Sequence, residues 1–364
     1  MWLADELSVN HDPERAAGWR LAATTDAEGA TVVVITVNHL FGTGRDIATT
    51  VYGGLPMNSM NGSNGDSASA SQVVLEQLGD SADRLRRGAV GMLRLTRDVA
   101  LLPVRREVHG DLADLRKPLA ALRDRDPSRG RASARRVGAT VRIEQEAWAE
   151  ALRRHEASNT ALQIGICANV LREARISRGA APDRPLRLIV PVDLADRSAA
   201  PAAAATVGPI QLTSATVVLP GGRPRHGDLT EVRDRLRQAV SRALEEVKVT
   251  GRVPVAPGVI DAMRLLPDAL TSRVMFGVHA HYDGAVSNVG PLPPGMLRMG
   301  EHTASDAFMM AYPLGSDAAF GFATHGGAVA LGAVADPSRL GAGPPLRERI
   351  VAELDRWEVS ACAW

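Results

Sequence analysis

The sequence predicts an α/β protein with mixed (α+β) sheets, built from two lobes. Three observations carry this expectation. The first is a nearly continuous β-branched run, Thr31-Val-Val-Val-Ile-Thr-Val37, that stops at Asn38-His39 and a glycine turn through Gly42 and Gly44. Such a run fits a strand buried on both faces. The second is the alternation, after residue 136, of short apolar strands with segments of helical spacing, the pattern of a mixed fold. The third is length: 364 residues suffice for two hydrophobic cores. The expected lobes are residues 1–145 and 146–364.

Taken in order, Gly18-Trp-Arg-Leu-Ala-Ala, a turn at Asp26–Gly29 and the run to His39 predict strand, turn and strand. Asn58–Ser71 is rich in Gly, Ser and Asn and reads as a loop, because such composition favours flexible coil. Val73–Leu102 has helical spacing of Leu75, Leu78, Leu85, Val90, Leu93 and Leu95. Residues 103–134 are basic and broken by Pro103, Pro118 and Pro127, so they read as helices and a linker. Val137–Ile143 predicts a strand, and Glu144–His155 and Thr160–Arg175 two helices. Leu186–Pro191 and Leu212–Leu219 predict two more strands. Asp228-Leu-Thr-Glu231 is a capping-box variant that opens a helix carrying Val232, Leu236, Val240, Leu244 and Val247. Arg273–Val289 and Ala318–Ala333 contain further strands, and Arg347–Trp357 is a C-terminal helix.

Composition excludes several classes. Net charge is +1, so no global field attracts nucleic acid or an acidic membrane. The basic clusters Arg84–Arg87, preceded by Ala82-Asp83, and Arg129–Arg136, broken by alanines, read as solvated helix faces. No apolar stretch approaches the roughly 20 residues of a membrane span, and the first residues lack the pattern of a signal peptide; the expected location is cytoplasmic. Cys167 and Cys362 are the only cysteines, too few and too far apart for a disulfide framework or a zinc site. Cys167 sits on an apolar helix face and reads as core.

His39 is the residue best placed for chemistry. It stands at the end of a rigid strand beside glycines that permit a sharp turn, and imidazole moves protons near pH 7. Two other readings stay open at this position. One is a packed histidine at a strand end. The other is a dinucleotide-binding turn, but that fingerprint places its third glycine where this chain has Ile47, and Tyr52-Gly-Gly-Leu-Pro56 soon breaks any following helix.

The segment Asn38-His39-Leu-Phe-Gly-Thr43-Gly44 resembles the His-His-x-x-x-Asp-Gly signature of the condensation-domain and CoA-dependent acyltransferase superfamily. Other blocks resemble the wax ester synthase/diacylglycerol acyltransferase-like and polyketide-associated branch, in the same order along the chain. They are Leu7–Leu21, Leu171-Arg-Glu-Ala with Gly179 through Val190-Pro191-Val-Asp-Leu, Leu219-Pro-Gly-Gly, Val286-Ser287-Asn288-Val289-Gly290-Pro291, and Phe320–Leu331 with Asp336-Pro. Three departures stand out. Asn38 and Thr43 replace the first histidine and the aspartate. The family's Thr-Val-Asn-Asp helix start reads Thr160-Ala-Leu-Gln163. Set against the resemblance, a shortened first lobe is also expected.

The resemblance implies a two-lobed, chloramphenicol-acetyltransferase-like fold with a tunnel between the lobes. It implies transfer of an acyl group from a CoA or carrier-protein thioester to a hydroxyl or amine of a small-molecule or lipid acceptor. His39 would be the general base, with no covalent acyl-enzyme. Asn38, Thr43 and Gly44 would complete the catalytic segment, and Arg45, Ser287, Asn288 and Gly290 would contact substrate. Oxyanion donors would come from Thr43, the Gly44 amide or the Ser287–Gly290 loop. No cofactor is expected beyond the acyl-CoA or acyl-carrier co-substrate, and no G-x-S-x-G elbow supports a serine intermediate. The alternative is a catalytically degenerate relative that acts as a binding or scaffolding partner in a biosynthetic pathway. The shortened lobe implies either a homodimer covering an apolar face or a wide cleft admitting a bulky acceptor or a carrier protein.

Other residues are weaker candidates. His279-Ala-His281-Tyr-Asp283 has the alternation to place two imidazoles and a carboxylate on one strand face, but a strand or tunnel wall is the preferred reading and no metal is expected. His325 reads as a turn residue. Leu85–Leu95 reads as a helix packed on the other lobe rather than on a membrane.

Overall fold

The computed structural model describes residues 2–6, 19–26, 29–37, 136–194, 212–250, 281–292, 298–299, 302–311, 313 and 315–363. Their mixed α/β structure agrees with the expected class. The chain separates into two compact units, Met1–Leu55 with Asp126–Ala243 and Tyr282–Trp364, and Pro56–Arg125 with Leu244–His281. Most of the second unit lies outside the described residues, as do the expected loop at 58–71, the helix at 73–102 and the segment at 103–134.

The first unit opens with a short helix α1 (Trp2–Glu6) and a hairpin of β1 (Trp19–Thr25) and β2 (Thr31–Val37). These strands pair antiparallel from Trp19↔Val37 to Thr25↔Thr31. The turn is held by Asp26, whose Oδ1 accepts the Ala30 N–H at 2.7 Å. The Glu6 carboxylate receives Nε and Nη2 of Arg20 at 2.8 and 3.1 Å and ties helix to hairpin; that bond and charge hold the Arg20 pKa above its usual value. One expectation fails here. β2 is not buried on both faces: among the described residues its sheet has two strands, and Leu21 and Val33 are 49% and 37% exposed. Leu21, Ala23, Val33 and Ile35 share one face. A β-branched run reports strand propensity, and its burial depends on what packs on it.

Among the described residues the main sheet has seven strands in the order β11-β3-β10-β9-β6-β4-β5. They are β3 (Val137–Glu144), β4 (Leu186–Asp193), β5 (Leu212–Leu219), β6 (Gly284–Pro291), β9 (Ala318–His325), β10 (Ala328–Ala335) and β11 (Ala361–Ala363). A separate pair, β7 (Arg298–Met299) and β8 (His302–Thr303), is also present. β6 runs parallel to β4 and β9, and the other pairings are antiparallel. β3, which precedes the 145/146 division read from the sequence, is paired on both sides within this sheet.

The helices are α2 (Gln145–Arg154), α3 (Asn159–Ser177), α4 (Thr230–Thr250), α5 (Pro337–Leu340) and α6 (Leu346–Arg356). Ser158 caps α3 by accepting the Ala161 N–H. Ala161 through Leu171 are all buried, because the sheet lies on one side of α3 and α6 on the other. Hence its apolar pattern runs nearly all round rather than along one stripe. Phe320, Phe322, Leu331 and Ala333 belong to the same core, and Trp148 of α2 lies 6.2 Å from Phe322. Asp228 caps α4 by accepting the Thr230 N–H at 2.8 Å. Glu231 does not complete a capping box; its carboxylate faces Arg225 and Arg235.

On the opposite face β9 and β10 carry only small residues at their centre. Gly321 pairs with Gly332, and a Cβ at either would overlap the Met309 carbonyl oxygen. The segment around Met309 therefore packs directly on the backbone of the two strands. Gly332→Val is expected to cost about 1–3 kcal/mol, the usual penalty of overpacking, read as a lower midpoint in urea. An unchanged midpoint would contradict this packing.

At one end of the sheet three aspartates sit side by side. Asp283 precedes β6, Asp317 precedes β9 and Asp336 follows β10. Their backbones are joined by Asp317 N–H to Asp283 O at 2.9 Å and Asp336 N–H to Asp317 O at 3.2 Å. Arg175 near the end of α3 and Arg178 at its C-cap meet the first two: Arg175 with Asp283 at 2.7 Å and Arg178 with Asp317 at 2.9 Å. Asp336 lies 3.7 Å from Arg136 and caps α5 through the Ser338 N–H. All of these side chains are buried, so the pairs act in a weakly screened environment.

Candidate functional site

Asn38, His39, Thr43, Gly44 and Arg45 lie outside the described residues, which reach Val37 at the end of β2. The hairpin fixes the direction in which the chain enters that segment, since seven residue pairs align β1 with β2.

Ser287, Asn288 and Gly290 are in place at the end of β6. Val286 is 1% exposed and belongs to the core. Strand alternation turns Ser287 to the other face, where it pairs with Gly321. The register then slips: Asn288 is opposite Phe322, and Gly290 opposite Ala323. Val289 is thus the extra residue of a β-bulge, a feature that re-aims side chains at strand ends. Gly290 has φ +76°, which glycine adopts without a Cβ clash. Its N–H donates to Asn288 Oδ1 at 2.9 Å. The Gly290 amide is thereby engaged, while the Ser287 hydroxyl and the Asn288 Nδ2 are further donors of this loop.

His325 is the last residue of β9, not a turn residue. The turn is Gly326-Gly327, with φ of 53° and 73°, the pattern of a type I′ hairpin. His325 is 7% exposed, and its Nε2 lies 2.8 Å from Ala307 N and 3.0 Å from Ala307 O. This ring fastens the segment that crosses β9 and β10.

The His279–Asp283 alternation does not supply a free carboxylate. Asp283 Oδ1 takes Arg175 at 2.7 Å, and Oδ2 accepts the Arg187 N–H at 2.7 Å. His279 lies outside the described residues, and among the described residues no group of three potential ligands gathers. Cys167 is fully buried. Burial, then the nearby Glu353 charge, pushes its thiol pKa well up, so it is core.

A second polar cluster lies between α3, α6 and the loop from β5 to α4. Glu353 of α6 is completely buried. It accepts from Asn169 Nδ2 at 2.7 Å and Trp357 Nε1 at 2.8 Å, and lies 3.1 Å from His226 Nε2 and 3.3 Å from Arg356. His226 and His155 both stand edge-on to Trp357. The sequence offered a partial signal: polar Asn169 and Arg172 interrupt an otherwise apolar helix, which demands buried partners.

As a sequence the chain matches no protein family and no curated protein. Among solved structures it is similar to the wax ester synthase/diacylglycerol acyltransferase from Marinobacter aquaeolei VT8, at 13% identity over 67% of this chain and 55% of that one, with a TM-score of 0.41. It is similar to F. graminearum TRI101 complexed with coenzyme A and T-2 mycotoxin, at 12% identity over 63% and 50%, with a TM-score of 0.40. It is also similar to the epimerization domain from the third module of tyrocidine synthetase B, at 12% identity over 98% and 74%, with a TM-score of 0.38. The chain spans about half the length of the first two. The chemistry of the site rests on the chain's own residues.

Proposed function

We propose that this protein transfers an acyl group from a CoA or carrier-protein thioester to a hydroxyl or amine, with His39 as general base. The observation that carries the reading is the pairing of two separate segments: Asn38-His39 through Thr43-Gly44 at the end of a strand, and Ser287-Asn288-Val289-Gly290-Pro291 on a bulged strand end. In this reading His39 removes the acceptor proton as the acceptor attacks the thioester carbonyl. The Gly44 amide, the Thr43 hydroxyl, Ser287 and Asn288 are the candidate donors to the developing oxyanion. Thr43 retains a hydrogen-bonding group where the motif has a carboxylate, and Arg45 supplies a cation for an anionic donor. The thiolate of CoA or of the carrier's pantetheine leaves as the ester or amide forms, and no metal is required.

A second reading has its own support. Asn38 and Thr43 depart from the motif, and a site that lost its orienting carboxylate is suited to binding without turnover. An intact-mass screen of acyl-CoAs of graded chain length against alcohol and amine acceptors separates the two. Products that need both substrates, with no acylated protein on acyl-CoA alone, support direct transfer. Binding of acyl-CoA without any product supports the second reading.

A further inference from the structure

Helix α6 carries a row of side chains that is complementary to a second copy of itself. Arg347, Val351 and Asp355 stand four residues apart and so share one face, with a cation at one end, an apolar side chain at the centre and an anion at the other. Eight residues span about 12 Å of helix, too far for Arg347 and Asp355 to pair within one chain. Both are exposed, and neither side chain makes a hydrogen bond or ion pair among the described residues. Other charges of this stretch are paired: Arg356 with Glu353 and Glu173, and Glu358 with Arg154.

The row borders a groove of about 360 Å³. The apolar part of its lining is Val351 of α6, the buried Val359 that follows the helix, and Ala361 of β11. β11 is an outer strand of the main sheet among the described residues and pairs with β3. The groove therefore lies along one border of the sheet.

We propose that this face binds a second copy of the chain across a two-fold axis at Val351. Two α6 helices laid antiparallel set Arg347 of each copy against Asp355 of the other, because both lie four residues from Val351. Val351 meets its own copy and covers the apolar lining of the groove. A two-fold interface has to be self-complementary in this sense. A uniformly acidic or basic partner would match one end of the row and repel the other. Glu348, which also lines the groove, leaves each half with a surplus negative charge, and the two ion pairs are exposed. The complex is accordingly expected to be weak and concentration-dependent. The face is apart in sequence from the His39 segment and from the β6 bulge, and does not depend on acyl transfer.

Sedimentation velocity of the full chain at rising concentration, up to about 1 mM, tests the proposal. Wild type is expected to move towards the mass of a dimer. Arg347→Glu and Asp355→Arg are each expected to stay monomeric, since each places like charges together. The double variant Arg347→Glu with Asp355→Arg is expected to regain association, because the exchange restores both pairs. The changed side chains are exposed, and unchanged circular dichroism checks that folding is retained. A second readout uses Val351→Cys in a Cys362→Ser background, where the remaining native thiol, Cys167, is buried. A short bismaleimide is expected to cross-link Val351→Cys into a dimer far more efficiently than Arg237→Cys on the exposed face of α4. A monomer at every concentration, a dimer indifferent to either charge reversal, no recovery in the double variant, or equal cross-linking at the two cysteine positions overturns the proposal.

Discussion

Replacing Asp283 by alanine is expected to lower the unfolding free energy by about 3–5 kcal/mol, the cost of breaking a buried ion pair from one side. Arg175 and Asp283 have side-chain exposures of 4% and 1% and lie 2.7 Å apart. Removing the carboxylate leaves the guanidinium buried with carbonyl contacts to Arg184 and Pro185. It also removes the Asp283 Oδ2 acceptor of the Arg187 N–H. One residue thus joins α3, β4 and the start of β6. Urea unfolding followed by circular dichroism measures the effect, with an m-value close to wild type if the denatured state is unchanged. Asp283→Leu combined with Arg175→Met is expected to recover part of the loss, since apolar replacement of both partners removes the unmet charge. A single variant within a few tenths of a kcal/mol of wild type would mean that Arg175 has found another anion.

Much of the scaffold was legible in the sequence for identifiable reasons. β1, β2, β3, β4 and β5 and helices α2, α3, α4 and α6 follow from local patterns: alternation, helical spacing and the Asp228 cap. The two-residue strands β7 and β8, the edge strand β11 and the helix α1 are too short to produce a periodic signal. The aspartate row was not legible. Asp283, Asp317 and Asp336 are distant in sequence, and only sheet order brings them together. Asp283 stood out only as a weak metal-ligand candidate in a strand or tunnel wall, because its alternation with His279 and His281 is a local pattern, whereas its partner Arg175 is more than 100 residues away. The exposed face of β2 was misjudged because β-branched residues mark strands with either kind of neighbour. Of the site, Ser287-Asn288-Gly290 was readable as a motif. The bulge that engages the Gly290 amide needed the register to be seen.

His39→Ala is expected to leave folding nearly intact and to lower turnover by about 100-fold or more, the lower range for removal of a positioned general base. β1 and β2 pair along their whole length before His39 is reached, so the strand does not depend on the imidazole. A change confined to kcat, with KM for the acyl donor little altered, is the signature of a group that acts in the transition state rather than in binding. The most direct measurement is the rate of acylated product formation, followed by mass spectrometry with wild type and His39→Ala side by side on the same acyl donor and acceptor. The account predicts product from wild type, about 100-fold less from the variant, and equal unfolding midpoints for the two. Equal rates from wild type and His39→Ala would contradict it.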